Sequence, residues 1–189
     1  MWNEVKDNVL VKGFSGTIGR SLTFRQIGGE TFVSKYQRPP TTVTTEKAVA
    51  ARTKFGRATA YARIAVKNPE LKSMYQAVVK GGQRAFNLAM MDALHAPVVE
   101  SILADSYHGQ IGDPITIRAT DDFKVVGVVV SIYNQAGNLV EQGNAVNQEN
   151  NVYWLYNTGH ENIELTGSKI SAIATDLPGN STSLSINVS

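Results

Sequence analysis

The segment that decides the fold comprises residues 114–134, which read PITIRATDDFKVVGVVVSIYN. In its first part Ile115, Ile117 and Ala119 alternate with polar residues, and its second part, residues 124–134, is rich in β-branched side chains. Successive side chains of a strand point to opposite faces of the sheet. The pattern therefore predicts a half-buried strand, a turn and a long central strand.

Strands of the same period continue to the C-terminus. We predict them over residues 152–156, 169–176 and 181–188, with turns at residues 135–138 and 176–180. About seven short strands within about 80 residues are typical of an Ig-like antiparallel β-sandwich. Trp154 is a candidate core anchor. The chain has no cysteine, which excludes a disulfide framework, a thiolate metal site and a thiol nucleophile.

The N-terminal part carries a different pattern. Residues 21–26 and 31–36 alternate around Gly28-Gly29, which predicts a β-hairpin. Arg38-Pro39-Pro40 should end the hairpin, because proline cannot donate to a strand ladder. An isolated hairpin is at best marginally stable in water, so this segment needs something to pack against.

Helical periodicity follows the hairpin. Residues 46–67 predict one helix with a buried alanine-rich stripe, and Asn68-Pro69 caps and starts a second. Gly81-Gly82 interrupts the helical pattern, and residues 83–95 predict a third helix that Pro97 stops. The fold class is α+β, with a hairpin and helical module over 1–104 and a sandwich over 105–189.

The two predicted domains have opposite charge. Residues 1–104 carry a net charge of +8 and residues 105–189 a net charge of −6. Such asymmetry indicates an interaction surface, although two ordinary soluble domains would give the same count. No export signal or membrane-length apolar run is visible, so we expect a soluble chain made in the cytoplasm. Its final location, such as an assembled particle or an extracellular fibre, stays open.

We recognise no group of residues in the sequence with the spacing of a catalytic site. His95, His108 and His160 lack paired metal-binding spacing, and we interpret them as surface residues. We therefore predict no enzymatic activity and no cofactor. The basic half makes nucleic-acid binding an alternative, but a minor one, because its aromatic residues fit hairpin packing as well as base stacking.

Four oxygen-bearing residues of the sandwich turns have two interpretations. They are Asp121, Asp122, Asp176 and Asn180. Asp and Asn commonly form local turns through their own side chains, and this is the preferred interpretation. The alternative is a Ca²⁺ site, because loops at one end of an Ig-like sandwich converge and hard oxygen ligands suit calcium.

Two resemblances bear on the fold. The sandwich resembles bacterial Ig-like modules, on the motifs at Gly112-Asp113, Ala119-Thr120-Asp121-Asp122, Gly137-Asn138 and Ala174-Thr175-Asp176 with Pro178-Gly179-Asn180. The whole chain resembles a family of short bacterial proteins of Bacteroidetes type, on Gly13-Phe14-Ser15-Gly16, Arg38-Pro39-Pro40, Arg52-Thr53-Lys54-Phe55, Ala85-Phe86-Asn87 and Ala96-Pro97. Since Ig-like modules serve in adhesins, virions and surface fibres, the resemblance implies a binding or structural role by analogy.

These observations favour a non-enzymatic structural protein that self-assembles or belongs to a larger particle or filament. The partner is a second copy or another protein of the assembly, reached through the N-terminal arm. We expect six residues of this arm to form the interface: Phe14, Arg20, Phe24, Arg25, Phe32 and Tyr36. Packing within the chain is their competing role. The alternative function is an Ig-like recognition module that binds a glycan or a protein.

Overall fold

A computed structural model describes residues 3–4, 9–36, 45–80 and 83–188. The chain divides into two compact units, Met1–Thr45 and Glu46–Ser189. The predicted boundary between residues 104 and 105 therefore falls inside the second unit. The observed division separates the hairpin from the helices and keeps the helices with the sandwich.

The N-terminal unit contains a four-stranded antiparallel sheet with strand order β1-β4-β3-β2. Its strands are β1 (Asn3–Glu4), β2 (Gly16–Ile18), β3 (Leu22–Ile27) and β4 (Glu30–Lys35). The predicted hairpin is confirmed, because β3 pairs with β4 in a register that places Ile27 opposite Glu30. Gly28 and Gly29 have φ of 61° and 88°, as a two-residue type I′ turn requires. The predicted break at Arg38-Pro39-Pro40 lies outside the described residues.

Three described helices open the second unit: α1 (Glu46–Ala65), α2 (Pro69–Ala77) and α3 (Ala85–Leu94). The Asn68 side chain accepts hydrogen bonds from the N–H groups of Glu70 and Leu71, which confirms the predicted cap. The predicted buried stripe of α1 is only half right, since the alanines at its C-terminal end are buried whereas Phe55 is exposed. The predicted interruption at Gly81-Gly82 lies outside the described residues.

Two antiparallel sheets follow, each of four strands. The strands are β5 (Val98–Leu103), β6 (Pro114–Thr120), β7 (Val125–Tyr133), β8 (Leu139–Asn144), β9 (Val146–Asn147), β10 (Tyr153–Asn157), β11 (Lys169–Asp176) and β12 (Ser181–Asn187). One sheet has the order β5-β6-β10-β9 and the other β12-β11-β7-β8. The coarse prediction of an α+β protein with antiparallel sheets is confirmed.

The core of the second unit lies between these two sheets. Alternate residues of β6, Ile115, Ile117 and Ala119, are fully buried, as the two-residue period predicts. They pack with alternate residues of β7 and β11, and with Trp154 of β10. A second cluster joins α1, α2 and α3 around Tyr75, whose ring stacks on Phe123 from the β6–β7 loop. That loop thereby reaches the helices.

Strand β5 lies N-terminal to residue 105, where the predicted sandwich begins. It pairs with β6, so residues 98–103 belong to the sandwich. A register shift between Val99 and Ser101 interrupts the alternation, and both Val99 and Ile102 point inward at a spacing of three. Because the bulge breaks the two-residue alternation, the sequence pattern does not reveal this strand.

Candidate functional site

Three carboxylates meet where α3 approaches two turns of the sandwich. Asp92 comes from the last turns of α3, Asp121 follows β6, and Asp176 ends β11. One oxygen from each side chain lies within 4.8 Å of the others. Asp92 and Asp176 are each 1% exposed, which is unusual for an aspartate without a basic partner. We call these three residues the acidic cluster.

Local turns hold two of the three carboxylates in place. Asp121 Oδ2 accepts from the N–H groups of Phe123 and Lys124, at 3.1 and 2.9 Å. Asp176 Oδ1 accepts from the N–H groups of Gly179 and Asn180, at 2.8 and 2.5 Å. These are the predicted side-chain turns, and they use one oxygen of each carboxylate.

The remaining oxygens are less well satisfied. Asp176 Oδ2 accepts from the Asn180 side-chain amide at 2.7 Å. In contrast, Oδ1 of Asp92 and Oδ1 of Asp121 are buried and have no hydrogen-bond partner among the described residues. A buried polar atom without a hydrogen-bond partner raises the free energy of the folded state. A proton or a cation bound between these oxygens would lower it.

The helices surround Asp92 with phenols. Tyr75 Oη of α2 donates to Asp92 Oδ2 at 2.5 Å, and Tyr61 Oη of α1 lies 2.9 Å from Tyr75 Oη. Burial raises the pKa of Asp92 to about 7, the Tyr75 hydrogen bond opposes the rise, and Asp121 and Asp176 add to it. Burial also raises the pKa of Asp176, against its hydrogen bonds from Asn180 and Gly179.

Three of the four predicted calcium ligands lie at the acidic cluster, and the fourth does not. Asp121, Asp176 and Asn180 lie at the acidic cluster, and the Asn180 amide also donates to the carbonyl oxygen of His95 at 3.2 Å. Asp122 does not join them, because its Oδ2 lies 2.5 Å from His95 Nδ1 on the exposed surface. Sequence reasoning missed Asp92. Its signal was that Asp92 is the single charged residue of helix α3, whose other residues are apolar except for Asn87.

A further buried carboxylate lies elsewhere in the sandwich. Glu141 Oε2 accepts from Tyr156 Oη at 3.0 Å and from the N–H of Gly159 at 2.8 Å. Burial and this hydrogen bond raise the pKa of Tyr156 to about 12. His160 Nδ1 lies 3.5 Å from the same oxygen. His95, His108 and His160 are all exposed, as predicted.

The six predicted interface residues lie on or beside the sheet of the N-terminal unit. Phe24 is buried and packs edge-on against Phe14, with ring centroids 6.0 Å apart, whereas Phe14 is itself 46% exposed. Arg20, with φ of 54°, and Arg25 are exposed, and Phe32 and Tyr36 are half-buried. Phe24 therefore serves the packing of its own unit, and the interface role of the others stays a prediction.

Exposed large hydrophobic side chains outnumber buried ones in the described part of the N-terminal unit. Within residues 9–36, Phe24 is the one large hydrophobic side chain that is buried, at 6% exposure. Six others are exposed: Val9, Leu10, Phe14, Ile18, Leu22 and Ile27. We call this set the N-terminal apolar surface; it includes both faces of the sheet, because Leu22 and Ile27 are five positions apart on β3. Exposed apolar residues in such number mark interaction sites in many proteins.

Comparison with known proteins adds little to this geometry. No family model and no curated protein matches the chain. Part of the chain is similar to the crystal structure of an engineered protein, a Northeast Structural Genomics Consortium target, at 20% identity and a TM-score of 0.36. The similarity covers 49% of this chain and 19% of that chain, so it spans about a fifth of the engineered protein. Within the described residues, none of the helices is sufficiently long and apolar to span a membrane.

Proposed function

We propose that this chain is a non-enzymatic structural protein that assembles with copies of itself, or within a larger particle or filament, through its N-terminal unit. The N-terminal apolar surface is the observation that carries the proposal. A small sheet with one large buried side chain gains little from its own core. Burying a half-exposed isoleucine contributes about 1 kcal/mol, so covering several such residues is worth several kcal/mol.

Charge favours a second copy as the occupant. The described part of the N-terminal unit exposes Lys12, Arg20, Arg25 and Lys35 against the acidic Glu30, and the sandwich exposes acidic residues that include Glu149, Glu161 and Glu164. A basic module on one copy is complementary to an acidic sandwich on the next. Head-to-tail contacts of this kind build filaments when the rotation between copies does not close a ring.

The finer description of the sandwich belongs to the same proposal. We propose that it is Ig-like, with β5 to β12 in the roles of strands A, B, C, C′, D, E, F and G. The strand orders β5-β6-β10-β9 and β12-β11-β7-β8 then correspond to the A-B-E-D and G-F-C-C′ sheets of that fold. The resemblance of the turn motifs to bacterial Ig-like modules supports the same arrangement.

An Ig-like recognition module is the second candidate function. It is favoured by a cleft of about 510 Å³ between the β7–β8 turn and the β10–β11 loop, lined by Gln135, Glu164 and the exposed Ile163. Loops that cluster at the end of a rigid sandwich commonly bind ligands. This candidate predicts that a glycan or protein ligand binds without any need for self-assembly.

Light scattering on the full-length protein tests the assembly proposal. We expect oligomers at low salt that dissociate at high salt, because screening weakens contacts between exposed charges. The variant carrying both Ile18→Ser and Ile27→Ser removes two side chains that are each 54% exposed and lie in the N-terminal apolar surface. Ile163→Ser is the matched control, since Ile163 is 87% exposed and lies in the sandwich.

The outcomes decide whether the N-terminal unit makes the contact. Loss of oligomers in the double variant, with assembly kept in Ile163→Ser, supports the N-terminal unit as the contact. The protein could instead be a monomer at both salt concentrations, with the backbone amides of the N-terminal unit protected from hydrogen exchange. That result would mean that the unit packs within its own chain, and it would end the assembly proposal. Oligomers that survive the double variant but not the control would place the contact on the sandwich instead.

A further inference from the structure

We propose that the acidic cluster binds one Ca²⁺ ion, which fastens α3 to the β6–β7 and β11–β12 turns of the sandwich. The site is separate from the N-terminal apolar surface, and the inference does not rest on assembly. It assigns a role to Asp92, which no turn explains.

The spacing of the oxygens fits calcium. Calcium–oxygen distances are about 2.4 Å, so ligands on opposite sides of one ion lie about 5 Å apart at most. The three carboxylate oxygens of the cluster lie within 4.8 Å of one another, which allows all of them to contact one ion. An oxygen-only set of three carboxylates selects hard cations over zinc or copper.

Unpartnered oxygens provide the second, independent observation. Asp92 is 99% buried, and its Oδ1 has no hydrogen-bond partner although its Oδ2 is bonded to Tyr75. Asp121 presents a second buried and unpartnered Oδ1. Two acceptors that face the same cluster cannot satisfy each other without a proton or a cation between them.

Among the described residues of the sandwich, none of the ion pairs includes Asp92, Asp121 or Asp176. Arg118 pairs with Glu100, His95 with Asp122, and His160 approaches Glu141. The groups that face Asp92 are instead the phenol of Tyr75, linked to that of Tyr61, and the other two carboxylates. Two buried carboxylates and the partly buried Asp121 attract an added cation, although Lys80 lines the cleft beside Asp92.

A cleft borders the cluster on the Asp92 side, although Asp92 itself is 1% exposed. Asp92 lines a cleft of about 460 Å³ together with Lys80, Asp122 and Phe123. Calcium takes six to eight oxygens, roughly, and waters in such a cleft complete the shell that three side chains begin. A proton is the competitor for the same place, because the unpartnered oxygens of Asp92 and Asp121 can share one.

Calorimetric titration of the chelator-treated full-length protein with Ca²⁺ at pH 7.5 tests the proposal. We expect saturable binding of one ion per chain, with weaker binding of Mg²⁺, whose shorter ligand distances of about 2.1 Å are harder to meet here. Asp121→Asn should weaken Ca²⁺ binding about tenfold or more, because it removes a charge but keeps an oxygen for the Phe123 and Lys124 amides. Asp105→Asn, at an exposed residue outside the cluster and its cleft, is the matched control and should bind as wild type.

A direct optical readout complements the calorimetry. Tb³⁺ substitutes for Ca²⁺ and luminesces when a nearby tyrosine is excited, and Tyr75 touches Asp92. We expect tyrosine-sensitised emission that Ca²⁺ displaces, and a higher unfolding temperature of the wild-type protein in Ca²⁺ than in chelator. No saturable Ca²⁺ binding with no change in unfolding temperature would overturn the proposal. Binding that is equal in Asp121→Asn and wild type would overturn it as well.

Discussion

Replacing Asp92 by asparagine should stabilise the protein at alkaline pH when divalent cations are absent. The pKa of buried Asp92 is raised to about 7, whereas an aspartate in the unfolded chain titrates near 3.9. Between these two pH values the folded state keeps a proton that the unfolded state has lost. The contribution of Asp92 to stability is therefore complete below the unfolded pKa and is lost as the pH rises through the folded pKa.

The magnitude follows from the size of the shift. One proton changes the free energy of unfolding by at most about 1.4 kcal/mol per pH unit, so a shift of about three units is worth about 4 kcal/mol at pH 8. Asparagine does not titrate, and its amide can donate to the unpartnered Oδ1 of Asp121 while its oxygen accepts from Tyr75. The variant should match wild type near pH 4 and exceed it by up to about 4 kcal/mol at pH 8.

Urea denaturation followed by far-UV circular dichroism measures this difference. Wild type, Asp92→Asn and Asp122→Asn are compared in chelator at several pH values from 4 to 8.5. Subtracting the curves removes the titration of carboxylates shared by all three proteins. A difference between Asp92→Asn and wild type that stays constant with pH would refute the reasoning, as would a variant that is less stable at every pH.

Three other substitutions test the fold by the same urea assay. Asn68→Ala should cost about 1 kcal/mol, because it removes the cap of α2. Gly109→Ala should cost about 2 kcal/mol or more, since Gly109 has φ of 81° and an added Cβ would lie 2.5 Å from the Asn162 carbonyl oxygen; wild-type stability would contradict that contact. Ile132→Ala should cost about 3 kcal/mol by opening a cavity in the core, whereas the exposed Ile163→Ala should be nearly neutral.

The elements that local chemistry determines were predictable. The Gly28-Gly29 turn fixes the register of β3 and β4, and Asn68-Pro69 starts α2 at the predicted residue. Strand β11 has its predicted bounds, Lys169–Asp176, because its alternation is unbroken. In each case neighbours in the chain supply the information, so the pattern suffices.

Features that depend on distant parts of the chain were not predictable. The bulge in β5 follows from its pairing with β6, and the exposed first half of α1 has the same alanine-rich pattern as its buried second half. The acidic cluster is the clearest case. Asp121 and Asp176 are visible as turn residues, but Asp92 joins them only because α3 packs where the turns meet.

The joint between α1 and α3 is made largely of alanine: Ala62 and Ala65 cluster with Ala85 and Ala89. Alanine has no side-chain rotamers, so packing these helices together costs almost no side-chain conformational entropy. For the same reason, the alanines cannot change rotamer to accommodate a displacement. We therefore expect α1 and α3 to move together when α3 shifts at Asp92.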